Sequence, residues 1–374
     1  MSDVEIPLEQ DNKVETSEQI VSEEIKVMAN KIVDDFKING KTPVITEKQN
    51  IAPSGDPHDY VSVTRYRMWR TEDGDLNWDD GIPNPESEKY SDIKKVEEFK
   101  TKIFLVSTRA IEAKEKGEDT KAYQDYINTA LARWFVDSNT RMSPNLEYAQ
   151  MINGENTGQY FGIIEGTDFL LVLEQVEQLK GQGLMNESVL SGIKDWYGKY
   201  LVWLTTSEKG LKEKNMENNH GVFYDLQVAQ IANFLGDKNN LIEEALRRSK
   251  QRIEKQIAPN GEMPLEAKRK DSYGYQLYLL SGYSKLASIG KKHNIDLWEY
   301  TPTQGGGIKK AFEYFIKNLP GPEKLPITVD RVSQLYLTFR SAGKAYGKKE
   351  YSDLPRKYFP NSRMEDVLTE KMFR

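Results

Sequence analysis

Asn218, Asn219 and His220 stand together immediately before Gly221-Val222-Phe223-Tyr224-Asp225-Leu226-Gln227. An amphipathic pattern starts at this point, with Phe223, Leu226, Ile231 and Phe234 on its buried side. The pattern places the three polar residues in the first turn of a helix. Unpaired backbone N–H groups and the positive end of the helix dipole gather there, which suits an anionic ligand. An Asn amide in that position can donate to a carboxylate. A histidine kept neutral by the dipole can take a proton. Asn is also favoured as the N-cap of any helix, so the same residues read equally well as a cap beside a satisfied surface histidine.

A second stretch runs from Gly261 to Tyr275 and leads into a helix marked by Leu277, Tyr278, Leu280 and Leu286. Arg269 and Tyr275 are six residues apart across its entry. A guanidinium can grip a carboxylate through two parallel hydrogen bonds, and as an opposite charge it favours a phenolate. The plainer reading is a solvated basic run, Lys268-Arg269-Lys270, beside core tyrosines. A third stretch, Thr140 to Gln150, is dense in Asn, Gln, Tyr and Arg, as sugar-binding loops are. Its candidates are Asn145 and Gln150, and Pro144-Asn145 is also ordinary turn chemistry. The fourth is Ser54-Gly55-Asp56-Pro57-His58-Asp59-Tyr60. Three potential ligands so close in a row rarely share one ion, so a cleft wall or lid is expected there and not a metal centre. His293, in Lys291-Lys292-His293-Asn294, reads as a solvated helix end.

The elements that must carry these residues are almost all helical. Residues 1–17 are polar, acidic and aperiodic, and are expected to be disordered. Residues 18–374 read as one domain. A helical pattern covers 18–36, with Ile20, Ile25, Met28, Ile32, Val33 and Phe36 near one face. Residues 37–90 lack a helical period and carry Tyr60, Tyr66, Trp69, Trp78 and Tyr90 among Gly and Pro. They are expected to form a long aromatic-rich loop, a kind that is often functional. Two helices follow, one marked by Ile93, Val96, Phe99, Ile103 and Val106, the next by Tyr123, Ile127, Ala130, Leu131 and Trp134. Others are expected at about 166–181, 186–206, 220–235, 238–256, 273–290, 306–318 and 327–345, with Gly117, Gly183, Gly236 and Gly261 as stops. No sustained strand alternation is visible. Short linkers predict antiparallel helix hairpins, and the absence of a fixed repeat favours a closed arrangement over a solenoid. The expected fold is therefore all-α, an (α/α) toroid or incomplete α/α barrel.

Composition narrows the chemistry. The 374 residues include no Cys, which excludes disulfides, thiolate catalysis and Cys-ligated metals. There are only three His, widely separated, against 20 Tyr and 6 Trp. That balance suggests carbohydrate contact or tyrosine chemistry before metal chemistry. The net charge of -6 argues against broad nucleic-acid binding. The longest apolar runs, such as Phe169–Leu173, are too short to span a bilayer. No N-terminal signal is visible, so a cytoplasmic location is expected as the chain is written, or a secreted or periplasmic one if a signal has been removed. Walker, dinucleotide, nucleophile-elbow and His-Glu-x-x-His signatures are absent.

Five stretches taken in order, SGDPHDY (54–60), DGIPNPE (80–86), TRMSPNLEYAQ (140–150), NNHGVFYDLQ (218–227) and GEMPLEAKRKDSYGY (261–275), resemble the alginate lyase family of polysaccharide lyases. The likeness spans roughly residues 40–345. It implies an α/α toroid and cleavage of polyuronates by β-elimination. It further implies that Asn219 neutralises a substrate carboxylate, that His220 is catalytic, and that Arg269 and Tyr275 complete the set, with Tyr278 in the tyrosine's place if the register slips. His58, Tyr60, Trp69, Asn145, Gln150, Asn218, Tyr224 and Tyr278 are then expected to contact substrate. Relatives carry Arg-x-Arg-Ser where this chain has Arg269-Lys270-Asp271-Ser272, so an acid replaces the second Arg. Relatives also continue HDY into Trp-Pro-Asp, whereas this chain reads VSVTRYRMWRTEDGD, which changes the cleft wall near Arg67 and Trp69.

The implied chemistry suits these residue types. Hydrogen bonds from Asn219 and the charge of Arg269 would stabilise an enolate-like intermediate at the uronate C5, while a base removes the C5 proton and an acid protonates the departing O4. In mannuronan and glucuronan the C5 hydrogen and O4 share one ring face. Tyr275 can then serve both steps, with His220 as its partner or the alternative base. No cofactor or metal is called for, and the expected partner is an anionic polysaccharide. An α/α-toroid glycoside hydrolase would instead need two opposed carboxylates, for which Glu147, Asp225 and Glu266 are available. A non-catalytic carbohydrate-binding protein is the third possibility.

Overall fold

Apolar residues recurring every three or four positions build thirteen α-helices among the described residues, which are 17–237, 239–322 and 331–362 of this computed structural model. The tail expected to be disordered lies, apart from Ser17, outside the described residues. The long helices are α1 (Ser17–Asn39), α2 (Ile93–Glu115), α3 (Lys121–Phe135), α4 (Thr167–Gly181), α5 (Glu187–Thr206), α7 (Asn219–Leu235), α8 (Leu241–Gln256), α10 (Ser272–Lys292), α11 (Ile308–Asn318) and α12 (Val332–Tyr346). Three shorter ones, α6 (Glu208–Lys214), α9 (Pro264–Ala267) and α13 (Lys349–Tyr358), were not legible as periodic segments. A 3₁₀ turn, Tyr160–Gly166, leads into α4.

The helices pack in two layers. Helices α2, α4, α7, α10 and α12 contact one another in that order and form the inner row. Helices α1, α3, α5, α8, α11 and α13 pack against them from outside. This is an α/α toroid. The inner position explains α7, in which every residue except His220, Asn233 and Leu235 is buried. Its ends are set by local chemistry. The Asn218 side chain caps the first turn through the His220 N–H, and Gly236 closes the last turn in a left-handed conformation, φ 90°. One apolar core runs from Ala29 to Leu354, with Phe99 stacked on Trp134 at 4.1 Å and Trp196 on Tyr200 at 5.5 Å.

The 37–90 segment is not a plain loop. It contains β1 (Val61–Val63), which pairs in parallel with β4 (Tyr148–Met151), and an antiparallel hairpin of β2 (Tyr66–Arg70) and β3 (Leu76–Pro83). The strands escaped the sequence reading because the hairpin, YRMWR and LNWDDGIP, mixes charged, polar and aromatic residues without a period. Both of its faces reach solvent, so no apolar-polar alternation marks it.

Beneath α7 lies a charged knot. Asp225 is fully buried and accepts Nε–H bonds from Arg248 and Arg252, each at 2.7 Å. Arg252 reaches on to the carbonyls of Lys214 and Met216, both at 2.6 Å. One carboxylate thus ties α7 to α8 and clamps the turn after α6. Asp225→Ala leaves two guanidinium groups without their counter-charge, and should lower folding stability by about 3–5 kcal/mol, measurable by urea unfolding. A loss under about 1 kcal/mol would contradict this role, since that is the scale of an exposed ion pair.

Candidate active site

The expected catalytic residues converge at the N-terminal ends of the neighbouring helices α7 and α10. Each of these helices follows a short one, and each short helix sends a buried glutamate under the site: Glu213 from α6 and Glu266 from α9. His220 is half-buried. Its Nδ1 lies 2.7 Å from Glu213 Oε1, and Nε2 bonds to no other described residue. Burial and the nearby Arg269 disfavour imidazolium, but the charge and hydrogen bond of Glu213, helped by Glu266, outweigh them, and the His220 pKa is raised. The sequence reading expected the helix dipole to keep this histidine neutral. The glutamate beneath it, seven residues upstream, pulls in the opposite direction.

Asn219 is buried. Its Nδ2 donates to both oxygens of Glu266 at 3.0 and 2.9 Å, its backbone N–H donates to Oε1, and its Oδ1 has no partner among the described residues. In this structure the amide N–H groups therefore face Glu266, and contact with a uronate requires that Glu266 release them.

Arg269 and Tyr275 do meet. The guanidinium lies over the Tyr275 ring at 3.7 Å from its centroid. The charge of Arg269 is directed elsewhere, however. Its Nε and Nη2 grip Asp80 of β3 at 2.6–3.1 Å, and the Lys270 N–H donates to the same carboxylate. These contacts hold the Asp80 carboxyl below its usual range. The Tyr275 hydroxyl lies 3.0 Å from the Tyr66 hydroxyl of β2. Burial and that hydrogen bond raise the Tyr275 pKa, against the opposite pull of Arg269. Tyr275 is thus a protonated phenol at neutral pH: Arg269 pulls towards the phenolate as expected, but burial and Tyr66 outweigh it.

Asp271, the departure from the family pattern, has two contacts. It caps α10 through the Gly274 N–H at 3.0 Å, and it binds Arg331 Nη2 at 2.9 Å. Arg331 also donates to the Gly274 carbonyl, and its guanidinium carbon lies 5.5 Å from the Tyr275 ring centroid. A cation thus reaches Asp271 and the Tyr275 ring from just ahead of α12. Sequence reading missed Arg331 because nothing in the chain links it to a tyrosine 56 residues upstream. It missed Glu213 because Lys212-Glu213-Lys214 reads as surface. It missed the hairpin contacts of Tyr66 and Asp80 because they lie about 190–210 positions from their partners.

Of the residues expected to contact substrate, two sit in the core. The Tyr60 ring is buried and its hydroxyl donates to Glu165 at 2.9 Å, and Tyr224 is buried with its hydroxyl towards the Leu204 carbonyl. Neither offers a surface to a sugar. Gln150 is also buried, at a positive φ of 50°. His58 Nδ1 lies 2.6 Å from the Arg141 carbonyl and ties two loops together. Asn145 caps a turn through the Glu147 N–H, and Asn218 caps α7. Tyr278 is half-buried and stacks on Phe223 at 4.1 Å, so Tyr275, not Tyr278, meets Arg269. Trp69 is 43% exposed but occupies the opposite face of β2 from Tyr66 and Met68. Trp78, 51% exposed, pairs across the hairpin with Met68 and so shares the face that carries Tyr66 towards Tyr275. Trp78 is therefore better placed than Trp69 to stack on a sugar. The hydrolase carboxylates are engaged: Asp225 and Glu266 are buried in the bonds described, and Glu147 pairs with Lys209. Among the described residues no cluster of three His, Asp or Glu suits a metal ion, and no helix is long and apolar enough to cross a membrane.

Residues 44–325, well over half of the chain, match the family model for alginate lyase. The chain belongs to the alginate lyase family. It is a polysaccharide lyase, and its fold agrees with two solved structures. One is an alginate lyase from Bacteroides ovatus, at 23% identity and a TM-score of 0.78, over 95% of this chain and 97% of that one. The other is a His-to-Ala variant of alginate lyase A1-III complexed with a tetrasaccharide, at 14% identity and a TM-score of 0.55, over 85% of each chain. At these identities the likeness bears on the fold. No curated protein matches this lyase in sequence. The family match ends before Arg331, so the arginine that partners Asp271 lies outside the matched stretch.

Proposed function

We propose that this lyase cleaves an anionic polyuronate, polymannuronate or glucuronan, by β-elimination. His220 takes the C5 proton and Tyr275 gives its own proton to O4. The observation that carries this reading is the pair of groups at the site: a histidine whose Nε2 has no hydrogen-bond partner among the described residues, and a phenol held protonated by burial and Tyr66. In the step, the C5–H electrons form the C4=C5 double bond, the C4–O4 bond breaks, the C5 proton goes to Nε2 and the phenolic proton to O4. Since C5–H and O4 share one face in mannuronate and glucuronate, both groups work from the same side of the ring. Arg269, exchanging Asp80 for the substrate carboxylate, stabilises the enolate-like charge, and Arg331 beside it holds the bound substrate in ground state and transition state alike. Trp78 supplies a stacking surface on the hairpin.

A panel of polymannuronate, polyguluronate, glucuronan and hyaluronan, followed by absorbance of the unsaturated product, tests the substrate. Polymannuronate or glucuronan should be cleaved fastest. Preference for polyguluronate, whose C5–H and O4 lie on opposite faces, would overturn the same-side assignment. Arg331→Ala should raise KM about tenfold, the worth of one charge-assisted contact near 1.4 kcal/mol, with kcat within about threefold, checked by steady-state kinetics. An unchanged KM would remove Arg331 from substrate binding.

A further inference from the structure

We propose that Glu213 is a positioning residue of this site: it fixes the neutral-state proton of His220 on Nδ1, so that Nε2 meets the substrate as the bare, proton-accepting nitrogen. The inference rests on the reading of His220 as the base. It starts from the geometry of α6. Glu213 is fully buried, and Oε1 meets Nδ1 at 2.7 Å while Oε2 has no hydrogen-bond partner among the described residues. A carboxylate accepts and an imidazole N–H donates, so this contact places the proton on Nδ1. Which nitrogen of a catalytic histidine carries the proton is set by the bond the other one makes.

The glutamate is held there by close packing on both sides. Ser207 caps α6 through the Gly210 N–H, and a side chain at Gly210 would run into the Leu204 carbonyl. A side chain at Gly221, beside His220, would run into Arg252 and the Met216 carbonyl. Arg252 is the residue that clamps Lys214 and Met216, on either side of the turn that follows Glu213, and it is fixed by Asp225. The chain of contacts Asp225, Arg252, Lys214 and Met216 carbonyls, Glu213, His220 therefore runs from the buried knot to the reacting nitrogen. The other ionisable groups facing the pair are Glu266 of α9 and Arg269 near His220, and Tyr160 and Tyr200 near Glu213. Among the described residues only Glu213 hydrogen-bonds the imidazole.

The test uses histidine-labelled protein and nitrogen NMR. The chain has three histidines, so His58 and His293 report on folding in every variant. In the wild type, neutral His220 should be the Nδ1–H tautomer. In Glu213→Leu the tautomers should mix, and kcat should fall on the order of a hundredfold with KM little changed. In Glu213→Gln, which keeps the shape but loses the charge, the His220 titration and the acid limb of kcat/KM should move together to lower pH. An unchanged tautomer and titration in Glu213→Leu, with unchanged His58 and His293 signals, would overturn the proposal. Failure of the wild type to cleave any polyuronate would instead count against the functional reading, because the tautomer is measured without substrate.

Discussion

His220→Ala lowers kcat for polyuronate cleavage by about a thousandfold, the range for removing a positioned general base, with the fold intact. The fold survives because the imidazole does not cap α7. The capping bond runs from the His220 backbone N–H to Asn218, and alanine keeps it. The ring is half-buried, and its Nδ1 contact to Glu213 is its one polar tie among the described residues. The remaining rate should lose the acid limb that His220 gives the pH profile. That limb lies above the ordinary histidine value because Glu213 outweighs burial and raises this pKa. The sign follows: a base must be unprotonated, a raised pKa delays that state to higher pH, and activity is therefore lost as pH falls through it. Rates of unsaturated-product formation across pH check both points. His293→Ala is the control, since the side chain of that exposed residue, among the described residues, hydrogen-bonds only Asn233, and the change should leave the rate unchanged. Wild-type-like turnover in His220→Ala would remove it from the chemistry.

Tyr275→Phe should be equally damaging, about a thousandfold in kcat, and is the cleaner substitution. Phenylalanine keeps the ring on which the Arg269 guanidinium lies at 3.7 Å and loses only the hydroxyl and its 3.0 Å bond to Tyr66. Binding should survive, so KM should stay near the wild-type value while kcat falls. That split is the mark of an interaction made in the transition state and not before it. An equal rise in KM with an unchanged kcat would make Tyr275 a binding residue and move the acid elsewhere, Tyr66 being next to it.

The sequence was most informative where chemistry is local. The α7 start could be read from Asn218-Asn219-His220, because capping is decided within one turn, and the helix stop at Gly236 followed from the left-handed conformation it adopts. The 3.6-residue period located α2 and α3, whose buried residues recur as Val96, Phe99, Ile103 and Val106, and as Ile127, Ala130, Leu131 and Trp134. What stayed hidden was set by packing between distant segments. Tyr60 and Tyr224 resemble cleft tyrosines in a string of letters, but Glu165 and the α7 core claim them. Asp80 and Arg269 are brought together by a hairpin with no apolar alternation to announce it. Asp271 reads as the loss of a cation, and its pairing with Arg331 is hidden because the two are distant in sequence. The electrostatics of His220 and Tyr275 are set by neighbours distant from the motif: Glu213 outweighs burial and Arg269 at His220, while burial and Tyr66 outweigh Arg269 at Tyr275.

Elimination adds no water to the products, and hydrolysis adds one oxygen per cut. Cleavage of polymannuronate or glucuronan in heavy-oxygen water, followed by mass spectrometry of the fragments, therefore tests the central claim most directly. The account predicts fragments whose new non-reducing ends absorb as unsaturated uronates, with no heavy oxygen incorporated by the cleavage step. Fragments that carry one heavy oxygen per cut and no double bond would contradict it.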